Sequence, residues 1–209
     1  IFRNASLNVS LRALELFGDL KETITQIKGE IKNFDYLLEA FFTACKIVFD
    51  KCKRNLIILN EDGSYQGNSD DSEDDLQENI FTYRDYASDL FFNTYYIGGL
   101  LKGKEWKDYF DQIWLEKFQQ GNQDHKSYAQ SLEAAIFAAT SAIDGCDIPE
   151  DKLIEKVWMA ILELKDFKEP TVFLSAMRFM NYGSIYLEHN PSILHKTLEY
   201  IFEGFSLYN

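Results

Sequence analysis

The chain has 209 residues, 46% of them hydrophobic, and a formal charge of −13. That apolar content is ample for a core, while the acidic balance is poorly suited to the phosphate backbone of DNA or RNA. Three prolines and eleven glycines argue against an all-β or loop-rich fold. No apolar run reaches the roughly 18–20 residues that a membrane span needs, and no basic start with a short apolar stretch marks a signal peptide. Charge alone favours basic proteins, peptides or patches as partners. Eight of the negative charges fall between Glu61 and Glu78, where there is no Lys or Arg, so the acidity is partly local. The chain begins at Ile1 rather than Met, as a processed chain or a piece of a longer one would.

From Ser6 to Lys32, apolar residues at Leu7, Leu11, Leu14, Phe17, Leu20, Ile24, Ile27 and Ile31 step by three and four, which is one helical stripe. Gly18 is a possible point of division. Asn33 and Asp35 punctuate the next start. Phe34, Leu37, Leu38, Phe41, Phe42, Cys45, Val48, Phe49 and Cys52 form a second stripe, closing on Lys51, Lys53 and Arg54. Cations there suit the helix dipole. The first half therefore reads as a hairpin of two long helices, with NLIIL after it either extending the second helix or lying across the scaffold.

Residues 60–79 (NEDGSYQGNSDDSEDDLQEN) carry almost no apolar group, and such a stretch cannot offset the entropy of ordering. A flexible acidic loop is expected. Its residues Asp70, Asp71, Glu73, Asp74 and Asp75 are the candidate partner-binding acids, either a solvated connector or a mobile arm that meets a basic partner. Ser72 sits in an acidophilic-kinase context, and a phosphate there would deepen the negative field. Helix is expected again from about Glu78, stopping at Gly98-Gly99. Another runs from Lys104 to Gln119, with Trp106, Tyr109, Phe110, Ile113, Trp114 and Phe118 on its apolar side, and Gly121-Asn122 ends it.

The remaining residues repeat one plan. Residues 124–167 give a helix (SYAQSLEAAIFAATSAI), a break at Asp144 to Asp147, and a second helix from Pro149. Residues 168–209 give PTVFLSAMRFMNYGSIYLEH, a break at Asn190, and PSILHKTLEYIFEGF. The period of about 43 residues falls in the range of HEAT-type helical pairs, which stack into open arrays. Pro149, Pro170 and Pro191 each open a helix, where the missing N–H costs nothing, and Asn190 is placed as an N-cap. The fold class is all-α: about eight helices in about four hairpins, forming a single α-solenoid segment over residues 1–209.

Chemical motifs are sparse. Glu-x-x-His is absent before His125, His189 and His195, and so is HExxH, so no metal site is expected. Gly98, Gly99 and Gly103 make no phosphate loop, no serine stands in GxSxG, and no cofactor is called for. Asp85 and Asp89, one helical turn apart, suit a solvated face better than an acid–base pair. The aromatics from Tyr83 to Trp114 lack the interleaved cations of a base-stacking surface and suit helix–helix core, with some lining shallow grooves. Cys45 and Cys52 are about 10 Å apart along one helix, too far for a disulfide, and an odd count of cysteines favours buried thiols in a reducing compartment. Asn4-Ala-Ser6 and Asn8-Val-Ser10 match the glycosylation pattern but weigh less.

The segment Leu132-Glu133-Ala134-Ala135-Ile136-Phe137, together with Tyr182-Gly183-Ser184 and His189-Asn190-Pro191, resembles the importin-β superfamily of nuclear transport receptors, closest to its transportin-SR and importin-thirteen branch. Phe81 to Gly99 is similar to the preceding Phe-Arg helix of that group, with Tyr83 interrupting the pair. Residues 1–80 match only in style, as paired helices. The resemblance implies an internal piece of a long superhelix that is not an enzyme. It implies protein cargo, the GTPase Ran and phenylalanine-glycine nucleoporins as partners, and shuttling between nucleus and cytoplasm. Residue by residue it supplies no site. A regulatory HEAT-repeat scaffold and a helical enzyme or regulator with an unseen site are the alternatives.

Overall fold

The computed structural model describes residues 7–27, 35–54, 73–119, 124–146, 152–164 and 169–207. Among them the chain is all-helical, with no strand. The helices are α1 (Leu7–Ile27), α2 (Asp35–Arg54), α3 (Glu73–Lys102), α4 (Lys104–Leu115), α5 (His125–Ala142), α6 (Leu153–Glu163), α7 (Pro170–Tyr182), α8 (Ile185–His189) and α9 (Leu194–Leu207). Short 3₁₀ turns follow α4 (Glu116–Phe118), follow α5 (Ile143–Gly145) and precede α9 (Pro191–Ile193). The chain divides into two compact units, Ile1–Ile97 and Gly98–Asn209, and the division falls inside α3.

In the first unit α1, α2 and α3 meet pairwise. Phe17 of α1 meets Phe41 of α2 edge-on, with ring centres 4.9 Å apart. The Cys45 thiol of α2 lies 3.1 Å from the Thr94 hydroxyl of α3. Tyr86 of α3 donates to Glu15 of α1 at 3.3 Å, and the Lys21 ammonium sits 5.2 Å from the Phe92 ring centre. The apolar stripes supply this core: Leu14, Ile24, Leu38, Phe41, Cys45, Val48, Phe49 and Cys52 are all buried. Gly18 does not divide α1, which runs through it; a glycine inside a helix lowers propensity without forcing a break.

The second unit holds α4 to α9. Here α5 packs along α7, α4 packs on α5 and α6, and α6 packs on α5 and α9. Two buried hydrogen bonds mark the contacts. Ser175 of α7 donates to Glu133 of α5 at 3.0 Å, and the Trp158 indole of α6 donates to Thr197 of α9 at 3.0 Å. Trp158 also packs on Phe179 and Tyr186, with ring centres 6.0 and 5.6 Å away. Phe173 of α7 packs on Tyr200 and Phe205 of α9. A Cβ at Gly204 would overlap the Phe173 ring, so this approach of α9 requires glycine.

Several boundaries differ from the expected ones. α3 begins at Glu73 rather than Glu78 and continues through Gly98-Gly99 to Lys102. Its stop is Gly103, the one described residue with positive φ, at 68°, a region that favours glycine. Gly98 instead makes room: a Cβ there would overlap the Trp106 indole. The helix expected over residues 170–189 breaks at Gly183-Ser184 into α7 and α8. Pro170 opens α7 as expected, and Pro191 opens a 3₁₀ turn that leads into α9. Asn190 does not cap α9. Its side-chain amide donates backward to the Tyr186 carbonyl at 3.1 Å, closing α8 instead. Pro149, Gly121-Asn122, Asp147 and NLIIL lie outside the described residues.

Candidate interaction surface

The helices of the second unit leave several large apolar side chains uncovered. α9 turns Thr197, Tyr200 and Gly204 inward. About a third of a turn away, Leu194, Leu198, Phe202 and Phe205 recur at steps of four, four and three, and they are 44%, 41%, 68% and 55% exposed, with Phe205 at the inner edge still meeting the Phe173 ring. On α7 and α8, Leu174, Tyr182 and Ile185 are also exposed, at 57%, 63% and 45%. Between Pro170 and Leu207 the charged residues are Arg178, Lys196, Glu188, Glu199 and Glu203, a net of −1 against −13 for the chain. This end of the second unit is therefore nearly neutral and apolar.

A second feature lies beside α4 and α6. An open depression of about 840 Å³ is lined by Asp108, Gln112, Glu116, Lys117 and Lys156 among others. Lys156 donates to Asp111 at 3.0 Å and lies 3.5 Å from Asp108. Asp111 is buried and Asp108 exposed, so one ammonium joins an inner and an outer carboxylate. That suits a polar junction between two helices better than a reacting centre.

Of the acids expected to bind a partner, Asp70 and Asp71 lie outside the described residues, as does Ser72, while Glu73, Asp74 and Asp75 form the first turn of α3. No group of three or more His, Cys, Asp or Glu among the described residues could hold a metal ion. His125, His189 and His195 are exposed, as are Asp85 and Asp89. The aromatic cluster is split: Tyr83, Phe91, Tyr95, Phe110 and Trp114 are buried, while Tyr96 and Tyr109 are exposed. Cys45 and Cys52 are buried thiols and Cys146 is half-buried. Burial pushes the Cys45 thiol up to about 12, with the Thr94 hydroxyl opposing the shift.

Sequence reasoning missed the interhelix pairs Glu133–Ser175 and Trp158–Thr197 and the outer stripe of α9. The signal for the first was a carboxylate inside an apolar stripe, Glu133 between Leu132 and Ala134. The signal for the last was an apolar stripe on α9, Leu194, Leu198, Phe202 and Phe205, set beside the inward one. No helix among the described residues is long and apolar enough to cross a membrane. Comparison with protein families, with curated proteins and with solved structures finds no match for this chain.

Proposed function

We propose that the chain is a segment of a HEAT-like α-solenoid whose product is a protein-binding surface, and that it serves in a nuclear transport receptor. The observation that carries the solenoid is the order of helix contacts in the second unit. α5 meets α7 and α6 meets α4 and α9, so each helix touches the helix one hairpin further on. Three side-chain bridges between helices of this unit span 42, 39 and 45 residues, for Glu133–Ser175, Trp158–Thr197 and Asp111–Lys156, beside Asp108–Lys156 at 48 and Lys107–Gly145 at 38. Those separations cluster on the sequence period. Contacts one period apart are what stacked repeats make.

The transport role draws its support from the likeness of Leu132 to Phe137 and of His189 to Pro191 to importin-β repeats, and from the acidity of the chain. In this reading the partners are protein cargo with a basic surface, Ran and phenylalanine-glycine nucleoporins, and the protein shuttles between nucleus and cytoplasm. The chain carries out no catalytic step and takes no cofactor. Co-purification with Ran tests it. Retention on GTP-loaded Ran that is lost with GDP is the expected result. Retention indifferent to the nucleotide would move the function to a static regulatory scaffold, and loss of binding to both forms would remove Ran from the reading.

A further inference from the structure

The outward side of α3 carries four residues in register. Asp85, Asp89, Phe92 and Tyr96 follow one another at steps of four, three and four, which at about 100° per residue confines them to a sector of about 60°. Asp85, Asp89 and Tyr96 are exposed and Phe92 is half-buried, while Tyr83, Ala87, Leu90 and Thr94, on the opposite side of the same helix, are buried. The Phe92 and Tyr96 rings stack, with centres 5.9 Å apart and planes 19° from parallel. A cation already sits over them. The Lys21 ammonium of α1 is 5.2 Å from the Phe92 centre and 6.0 Å from the Tyr96 centre, within the range at which a ring's negative face attracts a positive charge. Further along the stripe, neither Asp85 nor Asp89 has a cationic partner among the described residues. Like charges one turn apart destabilise a helix, and Asp is a poor helix former. The helix keeps both, and natural chains break local preferences of this kind mainly at functional positions.

We propose that this stripe of α3 docks a basic peptide segment of a partner protein, one cationic side chain pairing with Asp85 and Asp89 and a second lying on the Phe92 and Tyr96 rings. The site rests on the protein-binding reading above, and not on Ran. Its chemistry selects the occupant: two unpaired carboxylates repel a phosphate backbone, and the rings hold an ammonium in the chain itself. From the middle of the acid pair to the middle of the ring pair is seven residues, about 10 Å along the helix axis. An extended or polyproline-type segment covers that distance in about three residues. Arginine suits both halves, because its planar guanidinium stacks on rings and its fork matches a carboxylate. Lys21 is the chain's own occupant of the ring half and competes with the second cation.

The test titrates the 209-residue chain into a fluorescein-labelled Gly-Ser peptide bearing two arginines three positions apart, and reads anisotropy. Asp85→Asn with Asp89→Asn is expected to weaken binding about tenfold at low salt and little at about 1 M, while leaving Tm unchanged or higher because a like-charge pair is relieved. Phe92→Leu with Tyr96→Leu is expected to weaken it about threefold; Tyr96→Leu, the more exposed ring, serves alone if the pair lowers Tm. Lys21→Met keeps the aliphatic stem, removes the charge and is expected to tighten binding about twofold or more. Two controls separate the site from net charge. Glu188→Gln with Glu203→Gln removes the same charge from exposed positions of the second unit, and Lys46→Met removes an ammonium 4.5 Å from the Phe42 ring on α2. Both controls are expected to be silent. Equal losses from the two acid pairs, ring substitutions without effect, or a Lys21→Met chain that binds no tighter than Lys46→Met overturns the proposal. Such a failure with nucleotide-dependent Ran retention intact removes this site and leaves the function above standing.

Discussion

Trp158 shows how single residues hold the second unit. Its side chain is fully buried, and its indole N–H has one acceptor of suitable geometry, the Thr197 hydroxyl, which in turn donates to the Ile193 carbonyl at 3.0 Å. Thr197→Val keeps the shape and removes the acceptor. Leaving a buried donor unpaired costs about 1–3 kcal/mol, and the loss is read from chemical denaturation. A Trp158→Phe background removes the donor as well, so the valine substitution is expected to cost less there. Equal costs in both backgrounds would contradict the pairing. Cysteine reactivity gives a second residue-scale prediction. The thiolate is the nucleophile, and burial holds Cys45 protonated, at about 12. At pH 8 an alkylating agent is expected to modify half-buried Cys146 first and Cys45 only on unfolding. Mass-resolved labelling at equal rates would contradict this.

At the scale of elements, helix ends decide the outcome. Asp124 caps α5: its carboxylate accepts from the Ser127 backbone N–H at 3.0 Å and from the Ser127 hydroxyl at 2.7 Å. Those bonds, the side-chain one first, lower its pKa. A carboxyl depressed in the folded state contributes stability that is full above its unfolded value of about 4 and is lost as pH falls through the folded one. Asp124→Asn is therefore expected to flatten the acid limb of a stability–pH curve, and an unchanged limb would contradict the cap. Gly103 ends α3 at φ 68° and ψ −146°; Gly103→Ala forces a Cβ into a backbone region kept almost wholly to glycine, at about 1–3 kcal/mol. The stripes of α1 and α2 were legible because steps of three and four over some 20 residues have no competing reading. The end of α3 was not. Two adjacent glycines signalled a stop, but Gly98 is there because the Trp106 indole leaves no room for a Cβ, a contact between residues eight apart that no local signal reports. Asn190 misled for a similar reason, since its amide serves the helix before it rather than the one after.

At the scale of the molecule, the sequence repeat was legible as a period, and the register of stacking was not. Which side of α5 meets α7 depends on a Glu133–Ser175 pair between helices, and pattern alone does not choose partners. The surface was only half legible. Acidic composition pointed to Asp70, Asp71, Glu73, Asp74 and Asp75, whereas the described surface offers an apolar stripe on α9. The two predict different salt behaviour. Neutralising the five acids to Asn and Gln is expected to slow association with a basic partner several-fold at low salt and to matter little at 1 M, where screening acts within about 3 Å. Stopped-flow rates that do not change with the substitutions would remove the acids from recognition.

The stacked order of hairpins is tested most directly by nuclear Overhauser contacts in the 209-residue chain in solution. Cross-peaks are expected from the Trp158 indole N–H to Thr197 and from Glu133 to Ser175, joining α6 to α9 and α5 to α7 with slow solvent exchange of the indole proton. An indole proton that exchanges freely, with neither pair of helices connected, would contradict it.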